Sequence, residues 1–288
     1  MMPVTYQDVK NYSARVTSLV DTAVRELTDG IERAVAGVSD PYTRADIIRR
    51  QVQYYAERYG MSAKELGAQW YELCAERAGV KVDSAIVDEI DFTNLDRQFQ
   101  GILRAYADGE ETWDEAEMKV KDAFDYLIHD FTREPVLRNL DRDARSEHRR
   151  YRQTERAANR AGYARVPVGE TCAWCLMLAS LGYFYRSEET ALGVDPDHYH
   201  AHCDCIAVPY SGPDDIDGYG DDYELYFDIY ATARDDLASG NISPDLQRRI
   251  DDARAKHDAD FRAGRTSRRW SDVNAITMVM REQQGLRH

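Results

Sequence analysis

With 288 residues, 43% of them hydrophobic and 31% charged, the chain is long enough to bury a core and too apolar for a largely disordered polypeptide. Its formal net charge of −15 excludes nonspecific attraction to a polyanion, so any contact with DNA has to be local. No apolar run reaches the roughly 18 residues of a membrane span, and the polar stretch Met1–Lys10 is no secretory leader. The expectation is a soluble, intracellular chain, in which clustered cysteines serve as metal ligands or redox groups more readily than as structural disulfides.

From Tyr6 to Gly162 the sequence predicts a run of short amphipathic helices with tight connections, as in a bundle. Asp40-Pro41 sets a capping side chain before a proline at the first helical position, and Gly60 ends the predicted helix. Ser62–Glu65 is a capping box for a second helix that Gly79 closes, with Cys74 buried beside Leu66, Trp70 and Leu73. Thr112–Glu115 repeats the signature and opens a helix to about His129. A separate helix then runs from about Arg133 to Ala161. In it Arg138, Arg142, Arg145, Arg149, Arg152, Arg156 and Arg160 recur at steps of three or four, one arginine per turn of a single stripe. Such a stripe is either a solvated face with local Asp and Glu partners or a contact strip for phosphates or an acidic protein surface. Lysine is absent from 133–165, which favours planar bidentate contacts over generic solubility.

Past Gly162 the texture changes. Val166–Gly169 reads as an extended or turn element, and Gly182–Tyr185 and Ile206–Tyr210 as short strands. Pro213–Asp236 is strongly acidic and predicts a linker running into a helix. Ser243-Pro244 caps a later helix, and Ser271–Gln284 forms a last one. The fold class is therefore mainly α: a helical N-terminal region at 1–132, an Arg-rich helix with a small α+β metal-stapled module at 133–212, and an acidic linker with a C-terminal helical arm at 213–288.

The chemistry lies in two ligand pairs about thirty residues apart. Cys172-Ala173-Trp174-Cys175 supplies one, and His200-Ala201-His202-Cys203-Asp204-Cys205 the other, as a tetrahedral zinc site requires. Cys203 and Cys205 point to one side of an extended segment, so a four-cysteine site is open, as is His200 in place of one of them. A redox pair at Cys172–Cys175 is the competing reading, although no βαβ unit accompanies it. A catalytic cysteine with His200 or His202 is a third. The excess of ligands favours a closed, structural site over a catalytic one with an open position.

The run Val166–Ser180, with Cys172-Ala173-Trp174-Cys175 and the Leu-Ala-Ser element, followed by Tyr199–Cys205, resembles the signature region of the phage Mu F-like head-morphogenesis proteins. These are minor capsid proteins of tailed phages, particularly phages of actinobacteria. The resemblance covers roughly 140–212. In that family the second half reads His-Pro-x-Cys-Arg-Cys, which maps onto His200, Cys203 and Cys205. Ala201 stands in place of the proline and Asp204 in place of the arginine, which weakens any DNA-contact role carried over for that loop.

The resemblance implies a structural minor head protein inside the phage head and associated with the portal vertex, present in the host cytoplasm during assembly. Its expected partners are the portal or other capsid proteins, with packaged DNA as a further contact for the arginine stripe. The alternative is an enzyme of head morphogenesis, a capsid maturation protease or metal-dependent nuclease built on His198, His200 and His202.

Overall fold

A computed structural model describes residues 2–82, 85, 87, 90, 92–150, 163–169, 171–180, 205–211, 215–265 and 270–286, with backbone alone at 92–96, 98, 141 and 143–150. Helix α1 (Tyr6–Val35) opens on a capping box: the Asp8 amide donates to Thr5 Oγ1 at 3.1 Å and the Thr5 amide donates to Asp8 Oδ2 at 3.0 Å. Val9, Tyr12, Val16, Val20, Ala23, Leu27, Ile31 and Val35 recur at steps of three and four, and that spacing is the stripe α1 buries.

Helix α2 (Pro41–Ala78) starts where the sequence predicts, with the Thr43 amide donating to Asp40 Oδ2 at 2.7 Å. It ends on Gly79 in the left-handed region at φ 68°. The expected break at Gly60 and restart at Ser62 do not occur: α2 is one helix of 38 residues. Gly60 keeps helical geometry because it makes room for a neighbour. A Cβ there would come within 2.5 Å of Ile90 and 2.8 Å of Phe131. A close approach between helices, and not a chain reversal, is what this glycine serves.

Helix α3 (Phe92–Ala107) leads into α4 (Trp113–Arg150), whose start carries the expected box, with the Thr112 amide donating to Glu115 Oε2 at 2.9 Å. The predicted end near His129 is also corrected. Helix α4 passes through Pro135, so the arginine-rich stretch is its second half and no separate helix. Proline cannot donate to the Phe131 carbonyl, and its ring crowds that turn. Burial of Phe131, Val136, Leu137 and Leu140 on either side holds the helix together, and Asn139 Nδ2 donates to the Pro135 carbonyl at 2.7 Å. Long helices of 30, 38 and 38 residues thus replace the short ones expected.

The strands β1 (Tyr163–Val166) and β2 (Ile206–Pro209) pair antiparallel, from Tyr163 opposite Pro209 to Val166 opposite Ile206. Both are buried along their length, and Ile206–Pro209 lies within the strand expected there. The expected strand Gly182–Tyr185 lies outside the described residues. Helix α5 (Ala173–Ser180) sits between them in sequence. Three further helices follow: α6 (Gly220–Ser239), α7 (Pro244–Arg262) and α8 (Asp272–Gln284). Ser243 caps α7 as expected, its Oγ accepting from the Leu246 amide at 3.1 Å.

Helix α4 packs on α1, α2, α3 and β2, whereas α6 and α8 pack on each other and on α5. The start of the chain closes onto the entry to α6, where the Tyr6 amide donates to the Asp217 carbonyl at 2.8 Å and the Asp217 amide to Val4 at 3.0 Å. One apolar core runs from Val4 to Met280. Among the described residues no helix is long and apolar enough to cross a membrane.

Candidate functional site

Cys172 is the residue before α5, and its carbonyl accepts the first helical bond, from the Leu176 amide at 3.0 Å. Its sulfur accepts the amide of Cys175 at 3.3 Å, so a cysteine takes the place that Ser or Asp usually holds at a helix start. Two positive influences meet at that sulfur, the donated N–H and the helix N-terminus, and both favour thiolate over thiol. Cys205 precedes β2, just beyond the pairing of Val166 with Ile206. The hairpin register therefore decides where its sulfur arrives.

It arrives beside the other two. Cys172, Cys175 and Cys205 form one buried cluster, with Tyr126 of α4 and Trp174 packed against it. All three are free thiols, as is Cys74. The cysteine pair does open a helix after a strand, as a redox motif would, but that strand pairs antiparallel and lacks the parallel partner of a βαβ unit. Among the described residues no group of three or more His, Cys, Asp or Glu side chains is arranged to hold a metal ion, so the three sulfurs meet as packed neighbours. His200 and Cys203, with His198 and His202, lie outside the described residues.

Burial pushes the hydroxyls of Tyr219 and Tyr226 well above the usual tyrosine value, and the nearby Cys205 sulfur adds to the rise. Tyr219 stacks at a tilt between Tyr6 and Tyr226, at 5.3 Å and 6.3 Å between centroids. On the other side of Cys205 a cavity of about 20 Å³ is lined by Tyr12, Trp70, His129, Arg133 and Ala207, which is room for one water molecule.

Three contacts that hold the hairpin in place escape sequence reasoning. Trp70 Nε1 donates to the Ala207 carbonyl at 2.8 Å, Trp70 stacks on Tyr12 at 4.6 Å, and the Tyr71 and Tyr210 hydroxyls meet at 2.9 Å. Tyr210 adopts φ 60°, rare for a bulky side chain, directly after β2. The aromatic pair Trp70-Tyr71 on an otherwise periodic helix is the one signal that pointed there. Cys74 is fully buried in α2, as expected, and burial raises its thiol well above the ordinary value.

The arginine stripe falls on α4 as far as the helix is described: positions 138, 142, 145 and 149 share one side of its backbone. Arg138 is half exposed and pairs with Glu134 at 3.4 Å. Arg152, Arg156 and Arg160 lie outside the described residues.

The fold and the cluster together define a mainly helical protein in which one short antiparallel hairpin and one short helix gather three cysteines. The chain belongs to the VG15 protein family, whose family model matches residues 3–233. This is a phage protein family. No curated protein and no solved structure matches the chain.

Proposed function

We propose that this protein is a structural minor head protein of a tailed phage, internal to the head and associated with the portal vertex, acting in head assembly or DNA delivery. The observation that carries the reading is the meeting of Cys172, Cys175 and Cys205. These are residues on which the Mu F-like resemblance rests, and they are separated in sequence by α5 and the following loop. A second support is membership in a phage protein family over most of the chain.

Zinc fits this cluster as a structural ligand. Cys172 and Cys175 supply two sulfurs from one helical turn, already biased toward thiolate, and two of His200, Cys203 and Cys205 complete a tetrahedral set. Closing such a set ties α5 to β2, which is the role of a staple in a region with few long elements. The arginine stripe Arg138–Arg160 is the expected contact with the portal or another capsid protein. Packaged DNA ranks second, because a net charge of −15 opposes it.

The test is protection. Purified virions are treated with protease before and after the heads are opened, and the chain is followed by mass spectrometry. Protection in intact particles and digestion in opened ones is the expected result; absence from virions, or digestion in intact particles, sinks the reading. Replacing Arg145, Arg149 and Arg152 with glutamine is expected to leave the fold intact and reduce incorporation into heads.

A further inference from the structure

Helix α6 fully buries only Ala233. Along its outer side Asp221, Glu224, Leu225, Asp228 and Asp235 are all exposed, Leu225 by 54%. At 100° per residue these positions form one stripe, with carboxylates repeating every seven residues at 221, 228 and 235. The only cation on that helix, Arg234, already pairs with Asp235 at 2.9 Å. An acidic stripe with an apolar residue at its centre is a poor solvated face and a good seat for arginine. Carboxylates take the guanidinium fork, and the aliphatic stem covers leucine.

The same chain carries the complement. Positions 138, 142, 145 and 149 of α4 repeat at four, three and four, so arginines also recur every seven residues. At 1.5 Å per residue the arginine stripe spans about 16 Å and the acidic one about 21 Å, so the first fits along the second. Within one chain these strips do not close on each other, since α4 packs on α1, α2, α3 and β2 while α6 packs on α5 and α8. Two complementary surfaces on different sides of one molecule make a head-to-tail contact between copies.

We propose that the α6 stripe Asp221–Glu224–Leu225–Asp228–Asp235 docks the α4 arginines of a second copy of this chain. This rests on the assembly reading of the arginine stripe and names its partner. It accounts for the acidic stripe, which a DNA contact leaves unexplained.

Sedimentation velocity of the full chain at about 100 μM tests it. The wild type is expected to associate at about 0.05 M salt and to become monomeric at about 0.5 M, because the contact is ionic and exposed. Arg142→Glu with Arg145→Glu and Arg149→Glu, and separately Asp221→Arg with Glu224→Arg and Asp228→Arg, are each expected to weaken association at least about tenfold. Mixing those two variants, or combining all six changes in one chain, is expected to restore it. Glutamine at the three arginines is the milder second variant, and circular dichroism confirms folding.

A wild type that is monomeric at low salt overturns the proposal. So does folded six-fold variant protein that fails to associate, which points to a foreign acidic partner or DNA for the stripe. Either result is separable from failure of the head reading, which is decided by protection in virions.

Discussion

Trp70 of α2 donates its indole N–H to the carbonyl of Ala207 in β2 at 2.8 Å, across 137 residues of sequence. The bond is buried, and it fixes the strand that leads out of Cys205 against the long helical pair. Trp70→Phe keeps the stack on Tyr12 and removes the donor. The variant is expected to lose about 1–3 kcal/mol of stability in urea unfolding, because a buried carbonyl loses its partner. Unchanged stability would show that water replaces the indole at no cost.

Two glycines in helices should respond oppositely to alanine. A Cβ on Gly67 of α2 would overlap the Thr132 carbonyl oxygen of α4, a backbone atom that cannot swing away. Gly67→Ala is expected to destabilise by about 2 kcal/mol or more. Nothing stands within 4 Å of a Cβ on Gly101 of α3. There Gly101→Ala is expected to stabilise by about 0.5–1 kcal/mol. Thermal melts of both variants check the pair, and equal effects would contradict the close packing of α2 on α4.

For the cysteine cluster the expected outcome is about one zinc per chain in protein purified without chelator. Cys172→Ser should lose the metal and loosen the region from β1 to β2, since binding free energy in such knots is largely folding free energy. Cys74→Ala should keep it, because that thiol is buried in α2 away from the cluster. Elemental analysis reads both. Metal-free wild type with all thiols titrating, or zinc lost with Cys74, would reject the assignment.

Asp130 on α4 gives a pH signature. Burial raises its carboxyl above the ordinary value, Arg133 opposes the rise, Glu134 adds to it and Lys64 opposes it. A folded value above the unfolded one means the folded state binds more protons in the interval between them. The contribution to stability is therefore full below the unfolded value of about 3.9 and is lost as pH rises through the folded value. Asp130→Asn is expected to melt higher than wild type at neutral pH, with the gain shrinking below about pH 4. Absence of any gain at pH 7 would show that attraction to Arg133 and Lys64 outweighs burial.

What the sequence by itself determined here is whatever closes within about one helical turn. Asp40, Thr112 and Ser243 start helices because a side-chain oxygen reaches an amide three residues on, and Gly79 ends one because it alone takes a left-handed φ at little cost. The cysteine spacing and the arginine stripe were legible for the same reason, as short periodic patterns. Gly60 and Pro135 were misread because both carry breaker signals whose outcome depends on a distant surface. Gly60 is the gap into which Phe131 fits, and Pro135 is tolerated because buried residues flank it on both sides. Which sulfurs meet was likewise settled outside the motif. The β1–β2 register brings Cys205 to the start of α5, and Trp70 and Tyr71 hold that register from a helix more than 130 residues earlier, a coupling that packing creates and local sequence does not encode.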